Sequence, residues 1–485
     1  MSRSAAPALI AVTAMGLSLA GCRPRGPIYE RPPAPMAATW ETPAPWRAAD
    51  PKDAIVKGAW WTSFHDDGLD ALETGAVAAN QTIAAAAARY EQARALTALA
   101  LAGRLPEVTV DPAIERQRLA GNRPGAAVVG TAVTESSFLL PVTASYEVDL
   151  FGKRRRTIEG AVASEQAGAA DLENVRLVIE ADLAADYFSL QQLAAEADVL
   201  DRTVQSLERG RQLMQARHDG GVASGLDLAQ EDALLEGTRT QATLVRLDRD
   251  ALEHAIAVLA GQPAPGFHVS ARPLAAEPPA IELGMPSDLL ERRPDIAEAE
   301  RQMAAANADI GVAMTAYFPS LNLFGSGGWQ STALGSIFGA ASTLWAIGAS
   351  ATETIFNGGA TKARVHFAEA GYTLAVASYR DAVLNALREV EDGVTGLSVL
   401  RDARTSQTAA VAAAQRALDI ATDRYQGGLA NYLDVVSAQQ ALLASQRLAV
   451  QLQGEQLVTA VSLIKALGGG WDAKSLSDIK THTRH

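Results

Sequence analysis

The sequence predicts an α+β fold in which very long helices are joined to a few strands, and in which the same arrangement occurs twice. Long stretches free of proline have the composition of helices. Two matched pairs of shorter segments alternate between apolar and polar residues, which is the period of a strand. A glycine-containing turn recurs at the same place in both halves. The 485 residues are therefore better described as one duplicated unit than as several unrelated domains.

Composition and charge narrow the class of protein. The chain is 48% hydrophobic but only 5% aromatic, which suits closely packed helices rich in Ala, Leu and Val. Its formal net charge of −13 argues against a nucleic-acid partner, because phosphate binding needs a basic face. Beyond the amino terminus, no stretch is predicted to cross a membrane as a helix. The strands of a membrane β-barrel, however, give only a weak sequence signal.

The amino terminus predicts secretion and lipid attachment. Residues 1–21 have the features of a signal peptide, with Arg3 near the start and an apolar stretch too short to span a bilayer. The signal ends in Leu19-Ala20-Gly21-Cys22, the pattern at which bacterial lipoproteins are acylated. Cys22 is the only cysteine, so we predict that it carries the lipid; an ordinary signal peptide followed by an unmodified cysteine is the alternative. Residues 22–59 are rich in proline and are expected to form an extended, lipid-anchored segment.

The first half, residues 60–262, is predicted to run helix, strand, strand, long helix, turn, helix. The expected helices are Trp60 to about Gly103, Gly152 to about His218 and Leu226 to about Leu259, and the strand segments are Val108–Glu115 and Val142–Leu150, joined by a connector at Gly121–Gly130. The middle helix would have about 66 residues, roughly 100 Å if straight, whereas the average globular helix has about 11–12 residues. Such a helix needs neighbours along its whole length.

The second half, residues 285–467, repeats this order after a proline-rich linker at 263–284, and a C-terminal tail follows at 468–485. A helix is expected from about Pro294 to Ala316. A strand opens at Phe318-Pro319, a glycine-rich connector covers Gly325–Gly339, and a second strand ends in Ile355-Phe356-Asn357-Gly358. Helices to about Tyr425 and about Leu467 complete the repeat, separated by Gly427-Gly428.

The two glycine turns align residue by residue. Arg217, Gly220, Gly221, Leu226 and Asp227 coincide with Arg424, Gly427, Gly428, Leu433 and Asp434, each pair being 207 positions apart. A chance match at the same place in both halves is improbable. The turns lie roughly 100 Å of helix away from the strands, so we expect them at one tip of the molecule.

The number of strands has a consequence for assembly. One chain supplies about four strands, which are too few to close a membrane barrel, and an open edge in lipid leaves backbone groups unpaired. Three copies would supply twelve strands, an even number in the bacterial range. We therefore predict a trimer in which a shared β-barrel is continued by a tunnel of long helices.

Several motifs resemble those of the TolC family of outer-membrane efflux proteins, and more closely its NodT-like lipoprotein branch, over nearly the whole mature chain. They are Trp60-Trp61 with Phe64, Asp66, Leu69 and Leu72; Asp149-Leu150-Phe151-Gly152-Lys153-Arg154-Arg155; Pro286 to Ile296, which contains Arg292-Arg293-Pro294-Asp295; and the two glycine turns. The resemblance implies a homotrimer anchored in the lipid of the cell outer membrane and extending into the periplasm. It implies as partners a periplasmic adaptor (membrane-fusion) protein and an inner-membrane resistance-nodulation-division pump, and as function the export of small toxic compounds or drugs.

Two of these motifs have a structural interpretation that needs no function. Pro294 suits the first position of a helix and Asp295 its first turn, so helix initiation could be the whole role of the Arg-Pro-Asp motif. The basic residues of Asp149–Arg155 would lie where a strand leaves the membrane, a position that favours long cationic side chains.

The resemblance also places a periplasmic gate just beyond the second turn. Leu433 would supply an apolar ring and Asp434 an acidic one, while Ser437 stands where relatives often have a second Asp. Arg424 and Tyr425 match residues that latch neighbouring helices. The first-half counterparts, Arg217, Gly220, Gly221, Leu226 and Asp227, would line outer hairpins that contact the adaptor. The alternative is that Leu433 belongs to the packing core and Asp434 caps the helix.

Three other classes of protein are alternatives to an efflux channel. An enzyme is disfavoured because the seven histidines have no metal-binding spacing and neither a nucleophile elbow nor a phosphate loop is present, so we predict no catalytic residue, metal or cofactor. A periplasmic coiled-coil adaptor would explain the helices and the lipid but not the strands. A TolC-type exit duct for protein secretion shares the fold; the lipid and the Arg-Arg-Pro-Asp motif favour the efflux branch.

Overall fold

A computed structural model describes residues 24–36, 58–122, 124, 130–270, 274, 276–281, 286 and 289–469. It divides into two compact units, each of which draws on both halves of the sequence. The first contains the described parts of residues 1–32, 91–165 and 300–377, and the second those of residues 33–90, 166–299 and 378–485. Cys22 and the greater part of the C-terminal tail lie outside the described residues, so the lipid attachment stays a prediction.

The first unit contains an antiparallel sheet built by both halves. Its strands are β1 (Glu107–Val110), β2 (Ala113–Leu119), β3 (Val133–Val148), β4 (Ser320–Ser331) and β5 (Thr343–Thr352). β1 and β2 pair in succession with β3, β3 pairs with β4, and β4 pairs with β5. The predicted first strand segment is thus interrupted at Asp111-Pro112, because proline has no N–H to donate to a ladder. The sheet has four strand positions, with β1 and β2 sharing one edge.

The expected connector at Gly325–Gly339 is wrong at its start, because β4 continues to Ser331 through three glycines. The backbones and rings of neighbouring strands come too close there for larger residues. A Cβ on Gly328 would lie 2.2 Å from the carbonyl oxygen of Leu140 on β3. On β5, the ring of Phe324 covers Gly348, where a Cβ would lie 2.3 Å from the ring. The β4 glycines belong to the sheet, and Gly328 and Gly348 admit close approach, whereas the sequence pattern alone suggested a loop.

The passage from β3 into the next helix is tied by side chains of the Asp149–Arg155 motif. The helix that follows β3 begins at Lys153. Both carboxylate oxygens of Asp149 accept hydrogen bonds from backbone N–H groups of its first turn, at Arg154 (3.2 Å) and Arg155 (3.1 Å). Lys153 pairs with Glu147 at 3.1 Å. The motif therefore caps a helix, which is a structural role.

The helices carry most of the described chain. They are α1 (Asp67–Ala79), α2 (Gln81–Ala102), α3 (Lys153–Asp219), α4 (Gly225–Leu259), α5 (Leu289–Arg292), α6 (Pro294–Met314), α7 (Ala360–Gln426) and α8 (Tyr432–Ala466), with short 3₁₀ turns at Trp60–Phe64, Thr315–Tyr317, Leu334–Ser336 and Ala340–Ser342. Among the described residues, none of these helices combines the length and the apolar character that a membrane crossing needs.

The single helix expected from Trp60 to about Gly103 is wrong in its first half, which is a 3₁₀ turn and a separate helix. Asp66 caps α1 by accepting from the N–H groups of Gly68 and Leu69, and Asn80 separates α1 from α2. The side chain of Asn80 accepts from the backbone of the turn that follows, at Thr82 (2.8 Å) and Ile83 (3.0 Å). Caps of this kind compete with a continuous helix, so the composition of the stretch did not reveal the break.

The Arg-Pro-Asp motif does more than start a helix. Pro294 occupies the first position of α6, as expected. Arg293, however, is buried and bonds to the carboxylates of Asp295 and Glu389, both at 2.7 Å, and to the carbonyl oxygen of Ala466 at 3.0 Å. The two carboxylates hold the pKa of Arg293 above its ordinary value despite burial. One guanidinium thus joins α6, α7 and the end of α8, which helix initiation alone would not require.

Candidate functional site

The two glycine turns have the same backbone structure. In the first, the N–H groups of Gly221 and Val222 bond to the carbonyls of His218 and Arg217, both at 2.8 Å. In the second, Gly428 and Leu429 bond to Tyr425 (3.0 Å) and Arg424 (2.8 Å), at the equivalent positions. This is the Schellman arrangement that ends many helices. It requires a left-handed residue, which is the second glycine of each pair, with φ of 72° at Gly221 and 71° at Gly428.

The helices that follow the turns are capped differently. Ser224 accepts from the N–H of Asp227 (3.2 Å), and the carboxylate of Asp227 accepts in return from the N–H of Ser224 (3.1 Å), so the first turn closes a capping box. In the second turn Asn431 caps α8 by accepting from the N–H of Asp434 at 3.1 Å. The carboxylate of Asp434 accepts no hydrogen bond within the part of the chain that the structure describes. Asp434 is therefore not the cap of α8.

Tyr432 at the start of α8 joins the hairpin of α7 and α8 to the hairpin of α3 and α4 near the turns. Its hydroxyl donates to the carboxylate of Glu231 on α4 at 2.7 Å, and both residues are buried. Burial raises the pKa of Glu231 and also that of Tyr432. A Cβ on Gly210 of α3 would lie 2.5 Å from the Glu231 carboxylate, so a larger residue there would displace it. Sequence reasoning missed this pair.

An apolar cluster surrounds the tyrosine. Met214, Tyr432, Val435 and Val436 form its buried part, and Leu228, Leu234, Leu418 and Tyr425 pack around it. Tyr425 stands tilted on Tyr432 with 5.0 Å between ring centroids, and its hydroxyl lies 3.7 Å from the sulfur of Met214. The guanidinium of Arg217 lies 5.1 Å from the Tyr425 ring centre, a cation–π contact. These contacts join α3, α4, α7 and α8 within one chain.

The three predicted gate residues share a different face of α8. Leu433, Asp434 and Ser437 are all exposed in the single chain, whereas Tyr432, Val435 and Val436 on the opposite face are buried. Leu433 is 50% exposed, so it lies outside the apolar cluster of its own chain. The helical period places 433 and 434 on the same side of α8 as 437, because positions three and four apart share a face.

A groove runs between α4 and α8 beside this face. Its volume is about 490 Å³, and Leu433 and Ser437 line it together with Thr238, Gln241 and Arg447. Arg447 is held by Glu196 of α3 (2.5 Å) and Gln241 of α4 (3.0 Å), and Glu196 is buried. The guanidinium thereby bonds α8 to both helices of the first hairpin, a contact that the spacing of charges in the sequence did not indicate.

Some of the remaining predicted residues contact other side chains within the chain, and others are exposed. Tyr425 and Arg217 contact each other within the chain. Arg424 is exposed and makes no ion pair among the described residues, so its guanidinium is not held in the single chain. Leu226 is 66% exposed at the first turn, beside the capping box of Asp227. Within the described ranges, no group of three or more His, Cys, Asp or Glu side chains could hold a metal ion.

Comparison with known proteins identifies the family that shares this arrangement. A profile described as "Outer membrane efflux protein" matches residues 74–262 and 285–469. The chain is 33% identical over 446 residues to the pyoverdine export outer membrane protein OpmQ of Pseudomonas aeruginosa, covering 91% of this chain and 94% of that one. It is 33% identical over 470 residues to the toluene efflux pump outer membrane protein TtgF of Pseudomonas putida, covering 95% and 96%. Among solved structures, the outer-membrane channel OprN superposes with a TM-score of 0.85 at 29% identity, covering 93% of this chain and 100% of that one.

Proposed function

The chain belongs to the outer membrane efflux protein family, and from that premise we propose that three copies form one outer-membrane channel through which an efflux system exports small toxic compounds. The compounds in the relatives' names, pyoverdine and toluene, support small molecules over proteins as cargo. The channel performs no chemistry of its own. Its proposed task is to provide a path for the exported compounds.

The observation that carries the proposal is the sheet with two open edges. Within the described residues, β1 and β2 pair only with β3, and β5 pairs only with β4. Trp345 and Ile347 on β5 are 77% and 81% exposed, as apolar lipid- or neighbour-facing side chains would be in a single chain. In lipid, unpaired backbone groups cost several kcal/mol each, by order of magnitude, so the edges need partners. Twelve strands from three copies would close them.

The proposed gate is the face of α8 that carries Leu433, Asp434 and Ser437. Its exposure in one chain supports a role at a threefold axis, where three copies of each side chain would meet. Three carboxylates brought together repel one another, so a closed gate needs bonds elsewhere to hold it. Arg424, whose guanidinium makes no ion pair within the described ranges, could offer such a bond to a neighbouring copy. Tyr425 supports the same turn by packing on Tyr432.

The proposed partners are a periplasmic adaptor and an inner-membrane pump of the resistance-nodulation-division class. The first turn, with Arg217, Leu226 and Asp227, is the proposed adaptor contact, and the exposed Leu226 offers an apolar anchor there. Cys22 is the proposed lipid attachment site. We further infer that the chain lies in the outer membrane with its helices in the periplasm.

The test is a pair of measurements on the purified protein in detergent. Native mass spectrometry should give three copies, and planar bilayers should give single channels whose cation block weakens in Asp434→Ala. Arg424→Ala should raise the conductance, because a latch is lost. The matched control is Asp227→Ala in the first turn, which should leave conductance unchanged. A stable monomer with channel activity, or unaltered conductance and cation block in both second-turn variants, would refute the gate and assembly as proposed.

A further inference from the structure

The described residues nearest to Cys22 are held firmly against the first unit. Arg156, in the first turn of α3, is almost completely buried. Its guanidinium donates to three successive backbone carbonyls of the amino-terminal segment: Arg25 (3.3 Å), Gly26 (3.4 Å) and Pro27 (3.0 Å). The remaining nitrogen pairs with Glu159 at 2.9 Å. A proline-rich extended segment has no internal hydrogen bonds, so its carbonyls need partners from elsewhere.

Glycines let this backbone approach closely. Gly26 has a φ of 100°, and a Cβ on it would lie 2.6 Å from the Cα of Gly311 on α6. A Cβ on Gly311 would in turn lie 2.9 Å from the Arg156 side chain. Gly152, with a φ of 84°, faces Pro24, where a Cβ would lie 2.7 Å away. Residues larger than glycine at these positions would push the segment off its site.

Further contacts flank the three carbonyl bonds. The N–H of Arg25 donates to the carbonyl of Phe151 at 3.1 Å, and its guanidinium lies 4.9 Å from the ring centre of Phe318. Phe318 stacks on Phe151 with 4.7 Å between centroids. Four residues after Arg25, the hydroxyl of Tyr29 donates to the carboxylate of Glu300 on α6 at 2.5 Å. The segment is thus bound at both ends.

The duplication shows that this site is specific to the first half. The residue 207 positions after Arg156 is Ala363, which offers no donor. The counterpart of Gly152 is Gly359, which also has a positive φ, but a Cβ on it would meet nothing within 4 Å. The second strand–helix junction therefore keeps the turn but lacks the guanidinium and the bound segment.

We propose that Arg156, with Gly311 and the Phe151–Phe318 pair, forms a docking site for residues Pro24–Tyr29 of the same chain. The guanidinium of Arg156 binds three backbone carbonyls of the segment, and Gly26, Arg25 and Tyr29 add contacts that depend on their own side chains or on the lack of one. The members of the site come from both halves of the sequence, so docking requires the first unit to have assembled. The consequence, which rests on the proposed lipidation, is that the acyl chains at Cys22 start two residues from a fixed point instead of from a free tether.

Trypsin gives a direct test, because the sequence offers it one bond in this segment. Arg23 and Arg31 are followed by proline and resist cleavage, which leaves Arg25–Gly26 between Cys22 and Pro32. In the purified mature protein in detergent, we expect this bond to be cut far more slowly than in the denatured chain. Arg156→Ala should speed release of the peptide 22–25 by about tenfold or more, because a charged donor to three backbone carbonyls is lost.

The matched control is Arg155→Ala, which removes the neighbouring exposed guanidinium and its surface pair with Asp149. It should leave the bond protected. Tyr29→Phe, which removes a single hydroxyl, should give a smaller increase and keeps the test valid if Arg156→Ala does not fold. Equal cleavage of folded and denatured chains, or wild-type protection in both Arg156→Ala and Tyr29→Phe, would overturn the docking site.

The mass of the released peptide separates this proposal from the lipid. A protected bond whose peptide, once released, carries no acyl group supports the docking site and refutes lipidation at Cys22. An acylated peptide released at the same rate in every variant refutes the docking site and leaves the lipid anchor standing.

Discussion

The two glycine turns share a backbone and differ in the acid that follows. The carboxylate of Asp227 accepts a hydrogen bond in the capping box with Ser224. Asp434, at the equivalent position, leaves its carboxylate exposed, because Asn431 caps the helix with its own side chain. At the position before the shared leucine, the first turn has Gly225 and the second has Tyr432, which reaches across to Glu231. The first turn is therefore stabilised by bonds between its own residues. The second turn is bonded to the first hairpin through Tyr432, and the carboxylate of Asp434 accepts no hydrogen bond among the described residues.

A duplicated hairpin can keep its backbone structure while its side chains diverge. The Schellman bonds and the left-handed glycine are retained in both copies, since each hairpin must still reverse the chain. The side chains that do not serve the reversal have diverged. Stability of the second turn comes from Tyr432 and the apolar cluster, which frees the opposite face of α8 from packing.

The largest effect should come from breaking the docked contact. Tyr432→Ala removes a buried ring from the apolar cluster and should cost about 3–5 kcal/mol of local stability. Tyr432→Phe keeps the ring and should cost about 1–2 kcal/mol, the value of a buried hydrogen bond to an acid. Hydrogen exchange over residues 425–443 would measure both. Leu226→Ala, at an exposed site of the first turn, is the control, and an equal loss in it would remove the distinction between the turns.

The buried acid makes the docked contact depend on pH. Burial raises the pKa of Glu231 in the folded protein. Between its ordinary pKa and the raised one, the folded state binds more protons than the unfolded state, so the stability from this group is present at low pH and is lost as the pH rises. Relative to Glu231→Gln, the wild type should therefore lose stability on going upward from about pH 4.5, the ordinary range of Glu. Parallel pH profiles of the two proteins in thermal unfolding would contradict the assignment.

The shared backbone predicts equal effects at the two second glycines. Gly221→Ala and Gly428→Ala place a Cβ in the left-handed region and should each cost about 1–2 kcal/mol. Gly220→Ala and Gly427→Ala occupy ordinary backbone and should be neutral or slightly stabilising. Urea unfolding of the four variants is the measurement. A large loss at a first glycine would mean that the two turns are not the Schellman type described here.

The caps should separate stability from conductance. Ser224→Ala breaks both bonds of the capping box and should cost about 1 kcal/mol, and Asp227→Ala should also destabilise the first turn. Asp434→Ala should change stability by no more than a few tenths of a kcal/mol, because its carboxylate has no hydrogen-bond partner among the residues that the structure describes. It should instead alter cation block in planar bilayers. A stability loss in Asp434→Ala as large as that in Asp227→Ala would show that the second acid also serves as a cap.

Much of the fold was predictable because its signals are local. The long helices, their ends at the glycine pairs and the alternation of the strands follow from propensity and period, and the structure agrees within a few residues at Lys153–Asp219, Ala360–Gln426 and Tyr432–Ala466. The predictions that failed rest on local sequence features that are compatible with two different structures. The glycines of β4 suggested a loop but lie within a strand, where Gly328 admits a close contact with β3. The composition after Trp60 did not reveal the cap at Asn80.

By itself, the sequence determined the order of the elements, their duplication and the place of the two turns, because each depends on residues within a few positions of one another. Only the tertiary structure decided which face of α8 is buried and which acid is engaged. Tyr432 and Glu231 are 201 residues apart, and Arg156 binds carbonyls about 130 residues away. Such contacts depend on how packed helices bring distant side chains together, and neither hydrophobic period nor residue spacing along the chain contains that information.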